Sequence, residues 1–117
     1  ISGVLNEKKI FNVVGFISLE ELPEFMALFG LFIGNNSGPQ HIAAAVGIPT
    51  VGIHSGVVDP HEWGPMGTNS FAVQKKMACS PCYYDRAELC SRKMACLTQL
   101  TPRDVYHKIE PLLKSLI

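Results

Sequence analysis

Charge is scarce in this chain. Of its 117 residues only 17% are Asp, Glu, Lys or Arg, against about a quarter in an ordinary soluble domain. The 10 basic side chains balance the 10 acidic ones. That balance excludes a polybasic binder held to nucleic acid by bulk electrostatics, so no nucleic-acid partner is expected. Long hydrophobic runs are missing too. The longest apolar stretch, around residues 25–33, is broken by Gly30 and falls short of the ~18–20 residues a bilayer span requires. There is no basic leader followed by an apolar stretch and a cleavage site, which leaves the cytoplasm as the expected location. Neither G-x-G-x-x-G nor G-x-x-x-x-G-K-[S/T] occurs, so the two commonest glycine-rich phosphate loops are excluded. Internal repeats and low-complexity tracts are absent as well. What is plentiful is apolar surface, at 47% of residues, too much for a disordered tail. The length suits one domain rather than two. The chain opens on Ile1 rather than methionine, which predicts a piece or processed product of a larger protein.

The pattern along the chain alternates strands and helices. The β-branched, apolar run at 10–14, closed by Gly15, predicts a strand. Ser18 and Glu21 have capping-box spacing, and Leu22, Phe25, Met26 and Phe29 follow at helical spacing. A helix is therefore expected from Ser18, or from nearer Leu22 because Pro23 belongs in a first turn, with Gly30 as its stop. A second strand is expected at 31–33, a short helix at 40–46 ended by Gly47 and Pro49, a third strand at 50–53 and a fourth at 71–73. Strand, helix and strand in so short a span make a βαβ unit, hence a parallel sheet with a right-handed crossover. Residues 55–70 form a long loop rich in glycine and proline, of the kind that tends to be functional. Pro102 opens a last helix with Val105, Ile109, Leu112, Leu113 and Leu116 on one face.

The turn cluster at 34–39 carries the most chemistry. In an open parallel sheet, ligands bind beyond the carboxyl ends of the strands. Asn36, Ser37, Gly38, Pro39, Gln40 and His41 stand at such an end and open a helix, where unpaired N–H groups and the helix dipole favour an anion. Gly38 lets a ligand approach the backbone. Pro39 has no N–H, leaving Gly38 and Gln40 as the backbone donors. Ser37 offers a hydroxyl, and His41, one turn on, an imidazole. The same residues also read as an ordinary helix cap, a turn and a surface histidine, and both readings stand at this point.

The run from Asn36 to Val51 resembles the D-[S/T]-G-x-x-H-x-A-A-A-x-G-x-P signature of glycosyltransferase family 9, the ADP-heptose:lipopolysaccharide heptosyltransferases. The segment Gly15-Phe16-Ile17-Ser18-Leu19-Glu20-Glu21-Leu22 is similar to the family's G-x-x-S-L-x-E-L helix start. Asp59-Pro60 with Trp63-Gly64-Pro65, and Cys79-Ser80-Pro81-Cys82 with Cys90, Cys96 and Thr101-Pro102, resemble its later segments. The likeness runs from about Val13 to Leu113. It implies a Rossmann-like α/β parallel sheet, the later part of the C-terminal, nucleotide-sugar-binding domain of a two-domain GT-B glycosyltransferase. The acceptor-binding N-terminal domain, with its catalytic aspartate, has no counterpart here, so no catalytic residue is assigned and the fragment alone is expected to be inactive.

The resemblance further implies inverting transfer of heptose or a related sugar from a nucleoside diphosphate, with ADP-heptose the favoured donor, to a lipid-linked lipopolysaccharide core acceptor. That work is done at the inner face of the membrane and without a metal. Ser37, Gly38, Gln40 and His41 would hold the diphosphate, and Ile17 would pack on the base. Asn36 stands where the family usually has an aspartate that hydrogen-bonds hydroxyls of the transferred sugar. It keeps one acceptor, loses the charge and gains an N–H2 donor. That exchange also admits an alternative, a non-catalytic binding or assembly module that retains the fold. A domain without its first strands leaves a sheet edge open, which predicts marginal stability or dimerisation through that edge.

Cys79, Cys82, Cys90 and Cys96 are spaced C-x2-C-x7-C-x5-C. Three states are open to them, ranked in this order: reduced thiols packing a loop, a structural zinc site, and disulfides. Trp63, in a loop beside the proposed site, is open to two roles, stacking on a ligand or pinning its loop, and pinning is favoured. His54, His61 and His107 show no paired metal spacing and read as ordinary loop and helix residues.

Overall fold

The computed structural model describes residues 9–117. Three parallel strands form one sheet in sequential order: β1 (Phe32–Asn35), β2 (Thr50–His54) and β3 (Ser70–Gln74). In register, Phe32 stands opposite Thr50, and Thr50 opposite Ser70. Helix α1 (Leu22–Met26) precedes β1, α2 (Gly38–Ala45) joins β1 to β2, and the short α3 (Pro60–Trp63) sits in the connection to β3. A single 3-10 turn at Ala87–Leu89 and α4 (Ala95–Thr98) lead to the long closing helix α5 (Pro102–Ser115). This is the Rossmann-like α/β parallel sheet that the sequence implies. No helix among the described residues is long and apolar enough to cross a membrane.

The alternation of β2 sorts its side chains between two layers. Val51 faces α5, where it meets Val73 and Ile109 in the buried core, with Leu31, Phe71, Leu100, Val105, Leu112 and Leu113 packed around them. Gly52 and His54 face the other way, toward α2, whose Ala43 and Ala44 are buried. Small side chains there let the helix lie close on the sheet. Gly47, at φ +87°, turns the chain out of α2 in a conformation that costs glycine little. Helix α5 begins with a reciprocal box. The Asp104 N–H donates to Thr101 Oγ1 at 3.2 Å, and the Thr101 N–H donates to Asp104 Oδ2 at 2.8 Å. The motif T-x-x-D was there to be read, but Pro102 alone marks this start in the sequence analysis.

Several expected boundaries move, each for a local reason. The run at 10–14 is not a strand. No strand pairs with it among the described residues, and Phe11 and Val14 are 83% and 85% exposed. Its β-branched composition is a propensity only, and a strand forms only when a neighbour takes up its backbone groups. Ser18 and Glu21 do exchange the two bonds of a capping box, at 3.2 and 3.0 Å, but they close a turn. The helix itself begins at Leu22 with Pro23 in its first turn, and it ends at Met26, well before Gly30. The first turn of α2 likewise starts earlier than expected, at Gly38, with Pro39 where its missing N–H costs nothing. Leu116, expected on the buried face of α5, is the C-cap residue and is 44% exposed.

Candidate functional site

Strand β1 ends at Asn35 and, after two intervening residues, α2 begins, so the helix N-terminus lies at the carboxyl end of the parallel sheet. Ser37 occupies the N-cap position with extended backbone (φ −158°, ψ 175°) but makes no capping bond. Its hydroxyl leans back toward Asn35, 3.5 Å from the carbonyl oxygen and 3.4 Å from Oδ1. Gly38 and Pro39 are exposed, and His41 is half-buried on the first turn. The end of α2 is therefore open to solvent and not closed by its own cap. Of the two expected backbone donors, Gln40 is engaged internally, its N–H donating to the Ser37 carbonyl at 3.1 Å. Ile17 is half-buried in the turn that leads into α1, and α1 packs against α2.

Behind this open end lies a hydrogen-bonded chain that no local sequence pattern announces. Gln40 and His54 are both fully buried. Gln40 Nε2 donates to Asn36 Oδ1 at 3.3 Å and to the Trp63 carbonyl at 3.2 Å. Gln40 Oε1 lies 2.9 Å from His54 Nε2. A carbonyl can only accept, so the Trp63 oxygen fixes which end of the Gln40 amide is nitrogen. Oε1 must then face His54, and it requires a proton on Nε2. His54 is thus the Nε2–H tautomer, and its buried Nδ1 has no partner among the described residues. Gly52 makes room for the pair. A Cβ at that position would overlap Gln40 Oε1 and crowd His54 Nε2.

Two expectations are corrected here. His54 is not an ordinary loop residue but the buried last residue of β2. Trp63 does pin its loop, but by its main-chain carbonyl, and its indole stands 54% exposed. The signal for His54 was available: in a strand of period two, a glycine two residues before a histidine marks a face where something approaches closely.

Burial holds the His54 pKa below the usual 6.5, and the neighbouring His41 adds to the effect. A histidine with a lowered folded pKa stays neutral while the unfolded chain takes up a proton. Stability is therefore lost as pH falls below about 6.5. The urea midpoint is expected to drop between about pH 7.5 and pH 5.5, and His54→Gln should flatten that slope. Three carboxylates, Glu21, Asp59 and Asp104, are held below their ordinary values by hydrogen bonds from Ser18, His61 and Thr101 respectively. Their contributions are lost only at lower pH, below about 4.5, so the histidine window is separate.

The loop after β2 is organised by Asp59, whose Oδ1 accepts from the His61 N–H and lies 2.9 Å from His61 Nδ1. The cysteine segment docks against this loop. The Tyr83 N–H donates to the Val57 carbonyl at 2.8 Å, and its hydroxyl donates to Glu62 Oε2 at 3.1 Å. All four cysteines line one cavity of about 200 Å3 beside Gly56 and Val57. They are free thiols. Among the described residues no three His, Cys, Asp or Glu side chains are placed to hold a metal ion.

Comparison with known proteins places the chain. Residues 2–92 match glycosyltransferase family 9 (heptosyltransferase). Lipooligosaccharide heptosyltransferase 2 from Campylobacter jejuni subsp. jejuni serotype O:2 is 29% identical over 117 residues, which is 98% of this chain and 36% of that protein. The protein of the same description from serotype O:6 is 30% identical over 114 residues, 96% of this chain and 35% of that protein. No solved structure matches. The chain belongs to glycosyltransferase family 9, a family of GT-B architecture. It spans about a third of the length of the curated relatives it matches.

Proposed function

We propose that this chain is the nucleotide-sugar-binding part of a glycosyltransferase that moves heptose, or a related sugar, from a nucleoside diphosphate to a lipopolysaccharide-type acceptor. The observation that carries the reading is the uncapped, exposed start of α2 at the carboxyl end of β1. A helix terminus there presents free N–H groups and positive dipole to a diphosphate. The Gly38 N–H, the Ser37 hydroxyl and the His41 imidazole would bind the phosphates, while Gln40 acts from behind through its buried amide. Ile17 would pack on the base, and Asn36 would meet hydroxyls of the transferred sugar.

In transfer with inversion, an acceptor hydroxyl attacks the sugar and the nucleoside diphosphate departs. Donors preorganised on the diphosphate oppose the charge that grows on it as that bond breaks. This chain's share is leaving-group stabilisation, and the reaction is drawn without a metal. The base that takes the acceptor's proton would belong to an N-terminal domain of the parent, which would work at the inner membrane face where a lipid-linked acceptor resides.

The test is calorimetric titration of the full-length parent with ADP and UDP, beside His41→Ala. Binding of ADP in preference to UDP, weakened about tenfold (about 1.4 kcal/mol) in the variant, is the expected result. No binding of either nucleotide at millimolar concentration would overturn the reading and leave a module that keeps the fold without the chemistry.

A further inference from the structure

We propose that the cysteine segment forms a site for a soft, thiophilic cation, monovalent copper, held by the thiolates of Cys90 and Cys96 with the thioether of Met94. This site is separate from the donor site and goes beyond the reading given above.

The chain has four cysteines and four methionines. All four cysteines and two of the methionines, Met77 and Met94, line the cavity of about 200 Å3. Sulfur used only as apolar filler is packed against its neighbours, whereas here it surrounds open space. The cavity lies between Gly56 and Val57, in the loop after β2, and a segment with a single 3-10 turn between β3 and α4. The N–H groups of Cys82 and Tyr83 dock that segment on the carbonyls of Gly56 and Val57. An ion in the cavity would staple the segment where little regular structure holds it.

The donor set selects the ion. Asp85 is the one carboxylate among the lining residues, and it lies 3.8 Å from the Arg86 guanidinium. The oxygen shell that calcium or magnesium requires is therefore missing. Zinc requires three or four nitrogen or thiolate ligands around it, and no three such side chains are grouped among the described residues. Monovalent copper prefers thiolate and thioether sulfur, and a pair of thiolates suffices for it. Cys96 is the buried thiol of the four. Cys90 Sγ accepts the Met94 N–H at 3.3 Å. Met94 is the N-cap of α4, which carries Cys96, and stands at φ 55°, a left-handed conformation that L side chains rarely adopt. That backbone sets Met94 between the two assigned cysteines. A pair of thiolates around one Cu+ leaves a negative charge. Arg92 lines the cavity and makes no ion pair among the described residues, so its guanidinium can offset that charge. Binding releases one proton from each thiol to solvent, and no electron moves.

The experiment uses the full-length parent, reduced and kept free of oxygen, titrated with Cu+ held by a competing chelator such as bicinchoninate. The expected result is withdrawal of Cu+ from the chelator, a thiolate-to-copper absorption band, and slower hydrogen exchange at the Cys82 and Tyr83 amides. Cys90→Ser and Cys96→Ser are each expected to weaken Cu+ binding about a hundredfold. Met94→Leu, which conserves volume, should weaken it severalfold. Cys79→Ser, at the exposed thiol, should leave it within about threefold. No withdrawal of Cu+, or withdrawal unchanged by Cys90→Ser and Cys96→Ser, would overturn the proposal. So would a Co2+ titration that gives the spectrum of a tetrahedral tetrathiolate lost with Cys79→Ser, since that marks a closed zinc-type site. Nucleotide binding by the parent is measured apart from this, so failure of the donor reading leaves the result standing. Cys90 and Met94 are only half-buried, so their variants decide the matter even if Cys96→Ser does not fold.

Discussion

Gly52→Ala is expected to destabilise the protein by about 3 kcal/mol or more, the sum of overpacking and a broken buried hydrogen bond. The added methyl would overlap Gln40 Oε1 and crowd His54 Nε2. Neither group can withdraw easily. Gln40 is held by Asn36 and Trp63 as well as by His54, and β2 is the central strand, paired on both sides. The urea midpoint should fall with the slope unchanged. The cause can be separated from a general intolerance of the strand: adding Gln40→Ala removes the obstruction, so the double variant should be more stable than Gly52→Ala alone. If the second substitution only adds damage, the close approach is not what makes glycine necessary.

The second large effect is expected on the opposite face of the sheet. Ile109→Ala should cost about 2–5 kcal/mol. Ile109 is 5% exposed and touches Val51 and Val73, which are 0% and 2% exposed. These three residues are the centre of the core, and they join the long closing helix to two strands. The cavity would open beneath α5, whose outer surface is polar, so the loss should appear as early melting of α5, read by hydrogen exchange at its amides. Ile109→Val should cost only about 0.5–1.5 kcal/mol. Equal losses from both substitutions would mean that shape, and not buried volume, sets the packing there.

Much of this architecture was legible because it is punctuated. Helix α2 and strand β2 are short runs punctuated by Gly38, Gly47 and Pro49, and the structure places them, and β3, within one or two residues of expectation. The run at 10–14 has the right composition and fails for want of a partner, which no local pattern can report. The start of α2 was legible as a glycine- and proline-marked helix end after β1. The layer behind it was not, because Gln40 and His54 are 14 residues apart and meet only when α2 lies on β2. A polar side chain in the first turn of a helix reads as surface until the sheet beneath it is known. The cysteines illustrate the converse. Their spacing brings all four thiols to one cavity, yet spacing alone does not place them at ligand distance.

The contact between Gly52 and Gln40 also sets an order on how such a sequence can change over generations. A side chain at residue 52 is tolerable only after residue 40 has become shorter, whereas shortening residue 40 first merely leaves a hole and an unpaired histidine. One path between the two states passes through a collision, and the other passes through a weakened but folded intermediate. Drift at these positions is therefore directional: the helix must yield before the strand can.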